Sequence, residues 1–173
     1  MKYLIVVDVQ NDFIRGSLPA DGGEDIIHPL LKYIKNFNGN VIFTQDTHDR
    51  TYPLTLEWQK LPIEHCRKNT WGWEIVDELK PFVTKYNVIE KSTFASKKLA
   101  SVMWAVNAEE IQICGVCTSI CVASNALMIR GYCPNTPIKV LSNLCADVSQ
   151  EKHEAGLSVM DSCQIDVMCG GLD

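Results

Sequence analysis

Leu4-Ile5-Val6-Val7 is an unbroken apolar run, most of it β-branched. A strand with one face in water alternates apolar and polar residues. A run without that alternation has to be buried on both faces, which points to a parallel sheet covered by helices on each side. Short apolar runs return at Val41-Ile42-Phe43, Asn87-Val88-Ile89, Ile111-Gln112-Ile113-Cys114, Ile138-Lys139-Val140-Leu141 and Gln164-Ile165-Asp166-Val167-Met168. Helical patterns separate them. Glu24 to Phe37 carries Ile27, Leu30, Leu31 and Ile34 at helical spacing, with Pro29 near its start and Gly39 beyond its end. Residues 97–107 carry Leu99, Val102, Met103 and Val106; Thr118 to Ile129 is closed by Gly131; a further helix falls near 150–162. Periodicity thus predicts an α/β fold with a six-stranded parallel sheet and helices on both faces. A chain of 173 residues has the length of one domain, spanning 1–173.

Composition removes several classes of function. Sixteen Lys and Arg against 21 Asp and Glu give a net charge of −5, the wrong sign for a nucleic-acid protein. No apolar run approaches the ~20 residues of a membrane span. The apolar N-terminal stretch stops at Asp8, too soon for a signal peptide. The expectation is a cytoplasmic protein with no nucleic-acid or membrane partner, and a homo-oligomer is compatible with it. The eight cysteines are irregularly spaced, and the lone CxxC, Cys114 to Cys117, has no second pair for a zinc ribbon. Most of them read as small buried hydrophobes.

In a doubly wound sheet, ligands bind outside the carboxyl ends of the strands. The residues that follow each predicted strand are therefore informative. Asp8 follows the first, with Gln10, Asn11, Asp12 and Phe13 behind it; Thr44-Gln45-Asp46-Thr47-His48 follows the second. Glu90-Lys91-Ser92-Thr93-Phe94 follows the third and Gly115-Val116-Cys117-Thr118-Ser119-Ile120-Cys121 the fourth. A carboxylate, metal-ligand types, a lysine and cysteines meet on one rim. Taken singly, each has an ordinary reading as a turn former, a solvated lysine or a packed thiol. The one long aperiodic stretch, Thr47 to Trp73, holds two His, three Trp and a Cys, and an insertion of that length in a compact domain is usually functional. Asp46 and His48, two apart at a strand end, point to the same side. With Glu57 and His65 they form an oxygen and imidazole set that suits Zn²⁺, or alternatively Mn²⁺ or Fe²⁺.

The stretches Val7-Asp8-Val9-Gln10-Asn11-Asp12-Phe13, Glu90-Lys91-Ser92-Thr93-Phe94 and Gly115-Val116-Cys117-Thr118-Ser119-Ile120-Cys121-Val122 resemble three signature segments of the isochorismatase-like cysteine hydrolases. The likeness covers nearly the whole chain and includes Asp147 and His153-Glu154-Ala155-Gly156-Leu157. It implies a catalytic Asp8, Lys91 and Cys121. It also implies an oxyanion hole from the backbone N–H groups of Cys117 and Cys121, with a cis peptide at Val116–Cys117. Ser119 departs from the family, which commonly has Asp there. The segment about 46–73 resembles the metal-bearing part of the nicotinamidase branch, which implies a single divalent ion, foremost Zn²⁺, on Asp46, His48, Glu57 and His65. Cys66 is not carried over as a ligand. Phe13 and Phe94 resemble the aromatic walls of a pyridine pocket, and a plain core Phe fits each equally.

The implied chemistry accounts for these residue types. A thiol is mostly protonated at neutral pH, and a helix N-terminus and a lysine both favour its thiolate. Asp8 can take the thiol proton and return it to a leaving amine, while Cys121 attacks a carbonyl to form a thioester that water hydrolyses. The expected activity is hydrolysis of a small-molecule amide, nicotinamide to nicotinate and ammonia. The rival within the family is another small-amide or carbamoyl hydrolase. A rival of another class is a non-catalytic metal-binding or thiol-redox protein, which would show chemistry at Cys114 and Cys117 and no ammonia release. Isochorismatase activity itself needs no such cysteine, so Cys121 argues against it.

Overall fold

The six apolar runs assemble into one sheet in the computed structural model, which describes residues 1–171. The elements in chain order are β1 (Lys2–Val7), α1 (Asn11–Ile14), α2 (Ile27–Asn36), β2 (Asn40–Asp46), α3 (Leu56–Lys60), β3 (Val88–Lys91), α4 (Lys97–Ala105), β4 (Glu110–Val116), α5 (Ala123–Tyr132), β5 (Ile138–Ala146), α6 (Gln150–Ser162) and β6 (Asp166–Met168). The strand order is β3-β2-β1-β4-β5-β6 and every pairing is parallel. From β1 the chain first builds toward β3, then crosses and builds toward β6. Right-handed crossovers in opposite directions place their helices on opposite faces. Accordingly α4, α5 and α6 pack in series on one face, and α2 covers the other. No helix among the described residues is long and apolar enough to cross a membrane.

Burial follows the apolar runs. Leu4, Ile5, Val6 and Val7 of the central strand have no solvent exposure. Each such side chain contributes about 1.5–3 kcal/mol relative to leaving it in water. Leu30 and Ile34 seal α2 to the sheet, and Leu99 and Met103 seal α4.

Several boundaries move from the sequence reading. Strand β5 continues through Ser142 and Asn143 to Ala146, because its later half pairs with the end of β4 around a register shift. Gln164 has a left-handed φ of 62° and turns the chain, so β6 starts only at Asp166. Helix α2 covers Ile27–Asn36, shorter than the Glu24 to Phe37 pattern, and the chain is already extended at Phe37. The Thr118 to Ile129 pattern splits into a π turn at Thr118–Val122 and then α5, which runs through Gly131 to Tyr132.

The direction in which the chain adds strands reverses between β1 and β4, and there the two strands come close. Gly115 has φ +116°, and a Cβ on it would lie 2.2 Å from the Val7 carbonyl oxygen and 2.7 Å from the Val7 nitrogen. Gly115→Ala is expected to cost at least about 2 kcal/mol, from the backbone conformation and the overlap together. Urea unfolding of the variant beside wild type checks this.

Candidate active site

Asp8 stands at the carboxyl end of β1, fully buried, with a left-handed φ of 52° that turns its carboxylate over the sheet edge. Thr44 of β2 fixes it: the hydroxyl donates to Asp8 Oδ1 at 2.6 Å, and the Asp8 N–H donates back to Thr44 Oγ1 at 3.2 Å. Lys91 ends β3, and its ammonium is 2.6 Å from Asp8 Oδ2, 3.4 Å from Asp46 Oδ1 and 3.5 Å from Cys121 Sγ. The 2.6 Å approach is a close ion pair, and a carboxylate oxygen with two lone pairs keeps room for another donor. The structure thus brings Asp8, Lys91 and Cys121 together from three different strand ends.

Burial sets the protonation states. It raises the Asp8 carboxyl above its ordinary value despite the opposing pull of Lys91, which suits a group that must take and return a proton. Burial alone would lower Lys91, but the Asp8 and Asp46 carboxylates beside it raise it, so it stays an ammonium. The Cys121 thiol is pushed well above its ordinary value, first by burial and then by Asp8, with Lys91 pulling the other way. Lysine acts in the direction the sequence suggested, but burial outweighs it. Cys121 therefore rests as a thiol.

The peptide Val116–Cys117 is cis. After it the Cys117 carbonyl accepts from both Ile120 N–H and Val122 N–H at 3.1 Å, closing the turn that carries Cys121. Burial raises the Cys117 thiol to about 12. Asn125 of α5, buried beneath this turn, donates to the Cys121 carbonyl at 2.8 Å and the Phe94 carbonyl at 3.0 Å, and accepts from Ser96 N–H at 2.9 Å. One side chain thereby ties the Cys121 turn to the loop after β3.

A second buried cluster adjoins the first. Asp46, His48 and His65 each offer a ligand atom, all within 4.8 Å of one another. His48 Nε2 is 3.0 Å from Asp46 Oδ2 yet off the line of a hydrogen bond, a buried nitrogen without a partner. His65 Nδ1 sits 2.8 Å from the Ile63 carbonyl, which makes it the donor; in the neutral ring this leaves the lone pair on Nε2, 3.7 Å from Asp46. Glu57, on α3, stands outside this tight group, with Oε1 3.6 Å from His65 Nε2 and 4.0 Å from His48 Nε2. Burial would raise Asp46, but His48, Lys91 and His65 together hold it below the ordinary carboxylate range. With both imidazoles in the neutral form that binds a metal, the one Lys91 ammonium beside the Asp8 and Asp46 carboxylates leaves a buried negative charge. An unpaired imidazole nitrogen, a second imidazole lone pair and that excess charge fit a divalent cation.

Both clusters open on one cavity of about 280 Å³, lined by Cys117, Cys121, Asp46, Glu57 and His65 together with Phe13, Leu18, Pro19, Leu61, Phe94, Ile120 and Val148. Phe13 forms a buried wall beside the His65 ring, 5.6 Å between centroids, whereas Phe94 is 44% exposed at the rim. Among the tryptophans, Trp73 is an anchor: its indole donates to Thr47 Oγ1 at 2.8 Å and its carbonyl accepts from Gln10 and Gln45. Trp71 is exposed, and Trp58 lies on the outer side of the histidines with Tyr52. Cys66 is buried, its thiol raised by that burial, and it stays outside the ligand group.

Several supporting residues carried no role in the sequence reading. Gln10 is fully buried and holds the Asp46 backbone from both sides, donating to its carbonyl at 2.8 Å and accepting from its N–H at 2.7 Å. Asp12 accepts from Cys66 N–H at 2.7 Å and so fixes the residue after His65. Thr44 and Asn125 complete the set. The usable signal for Gln10 and Asp12 was a polar side chain just behind a buried strand; for Asn125 there was none.

Comparison with known proteins agrees with this geometry. The isochorismatase domain matches residues 2–170. PncA of Bacillus subtilis, described as an uncharacterised isochorismatase family protein, is 31% identical over 91% of this chain and 92% of its own. The nicotinamidase of Saccharomyces cerevisiae is 28% identical over 73% of this chain and 80% of its own. The crystal structure of the pyrazinamidase of Pyrococcus horikoshii in complex with zinc superposes with a TM-score of 0.82 at 27% identity, over 97% of this chain and 98% of that one. A six-stranded parallel sheet with this arrangement at its switch point defines an isochorismatase-type α/β protein. The chain belongs to the isochorismatase family.

Replacing Asn125 with the near-isosteric Leu leaves two buried carbonyls and one N–H unpaired. The expected loss is about 3 kcal/mol, measured by chemical denaturation.

Proposed function

We propose that this protein is a metal-dependent cysteine amidohydrolase that converts nicotinamide to nicotinate and ammonia. One observation carries the reading: Cys121, held beside the buried Asp8 and Lys91, and Asp46 and His65 of the buried ligand cluster line the same apolar cavity. The nicotinamidase of Saccharomyces cerevisiae and the zinc-containing pyrazinamidase of Pyrococcus horikoshii supply the comparison. The whole chain acts as one catalytic unit, with the metal-bearing segment inserted between β2 and β3.

In this account the carboxamide of nicotinamide lies against Cys121 and the ring lies between Phe13 and Phe94. Asp46, His48 and His65, with Glu57 at the edge, hold the ion, most simply Zn²⁺. When bound it supplies a Lewis-acidic position that can orient a ring nitrogen. The remaining steps belong to the chain's own residues. Cys121 Sγ attacks the carbonyl carbon as its proton passes to Asp8 Oδ2. Backbone N–H groups of Cys117 and Cys121 receive the developing oxyanion. Asp8 then returns the proton to the amide nitrogen, the C–N bond breaks, and ammonia leaves a thioester on Cys121. Water attacks the thioester with Asp8 as base, releasing nicotinate and restoring the thiol. Lys91 favours the ionised form of Asp8 between these steps, and its positive charge offsets the charge on sulfur.

Ammonia release from nicotinamide, with metal analysis of the same sample, tests the reading. Cys121→Ala is expected to abolish turnover, while Cys117→Ala, acting through an unchanged backbone, keeps most of it. Asp8→Asn keeps the shape but cannot take a proton, and should lose at least about 10²–10⁴-fold in kcat. Reversed results for the two cysteines would overturn the nucleophile assignment. Chelation, or His48→Ala, is expected to raise KM or stop turnover while leaving Cys121 open to iodoacetamide. Activity that survives in protein with no detectable metal would contradict the metal dependence.

A further inference from the structure

The segment from Asp147 to Gly156 takes no part in the chemistry above, yet three of its residues converge on two consecutive residues of the Cys121 turn. Asp147, buried at the end of β5, accepts from Ser119 N–H through Oδ2 and from Val148 N–H through Oδ1, the latter at 2.7 Å. His153, in the first turns of α6, places Nδ1 2.8 Å from Thr118 Oγ1. That hydroxyl donates its one hydrogen to the Ala146 carbonyl at 3.1 Å, so Nδ1 carries the proton and donates. Gly156 lies under the same turn: a Cβ there would be 2.7 Å from Ser119 Cα and 2.9 Å from Ser119 N.

Thr118 and Ser119 stand between Cys117 and Cys121, the two residues whose N–H groups receive the oxyanion. Their turn is of the π type, a single-turn form that lacks the regular i to i−4 ladder. Its geometry therefore depends on contacts from outside, and a carboxylate on a backbone N–H is among the stronger ones available. We infer that Asp147, His153 and Gly156 are positioning residues that hold the two oxyanion donors at their working separation. They act through the backbone of the turn and contribute no atom to the reaction. The inference rests on Cys121 being the nucleophile of the amidohydrolase proposed above.

The experiment compares two reactions of Cys121 in the metal-loaded full-length protein. Pyridine-3-carbaldehyde forms a thiohemiacetal whose oxygen needs the oxyanion donors, whereas alkylation by iodoacetamide occurs at a saturated carbon and does not. In Gly156→Ala, and in the isosteric Asp147→Asn should the first fold poorly, kcat is expected to fall about a hundredfold with KM nearly unchanged. Aldehyde affinity should fall in step with kcat, and the alkylation rate, read by intact mass, should stay at the wild-type value. Unchanged kcat and aldehyde affinity in both variants would overturn the inference. So would a parallel loss of alkylation, which would mean that the segment merely supports the fold of the turn. If wild type released no ammonia from nicotinamide, the substrate assignment would fail, and the aldehyde and alkylation comparison would still read the clamp.

Discussion

The site depends on one buried ammonium. Lys91 reaches Asp8 at 2.6 Å, Asp46 at 3.4 Å and Cys121 at 3.5 Å, all in the interior. Two carboxylates at this depth would be driven to take up protons, since desolvation disfavours the charged form and each opposes the other's ionisation. Lys91 opposes that uptake and favours the ionised form of both, and each carboxylate serves a different centre. Asp8 faces the thiol; Asp46 turns its other oxygen to the histidines. The lysine is in this way a shared electrostatic partner of the thiol centre and the metal-binding centre.

Topology makes that sharing possible. Asp8, Asp46 and Lys91 each end one of three adjacent parallel strands, β1, β2 and β3, so their side chains emerge on one rim. Cys121 arrives from the other side of the switch point, after β4, where Gly115 permits the close approach to β1. The apolar strands fix the positions of these charges to within a residue, because a slip in register would bury a different set of side chains. The energy for holding charges inside comes from the surrounding core, and the charged groups return chemistry rather than stability.

Much of this was legible in the sequence, for reasons that differ by residue. Asp8, Lys91 and Cys121 each follow an apolar run, and a polar residue at that point lies at the carboxyl edge of a buried strand. Asp46, His48 and His65 stood out as ligand types at the start of, and within, an aperiodic insertion. Glu57 was readable as a ligand type but not as a distance: α3 carries it to the edge of the cluster, 3.6 Å from His65. The partners that give Gln10, Asn125 and Asp147 their roles, namely Asp46, Phe94 and Ser119, lie 28 to 36 residues away along the chain, so the residue pattern does not show the pairing. The π turn was read as ordinary helix, since one tightened or widened turn leaves the apolar period almost intact. Phe94 is at the rim and half exposed, a fact set by the loop after β3 and absent from the residue pattern.

The central claim is that the metal and the nucleophile are separate centres joined through Lys91 and Asp46. X-ray absorption at the zinc edge of the zinc-loaded protein tests it directly. The account predicts a shell of nitrogen and oxygen ligands at about 2.0–2.2 Å and no sulfur. A sulfur scatterer at about 2.3 Å, lost in Cys121→Ser, would place the ion on the thiolate and contradict it.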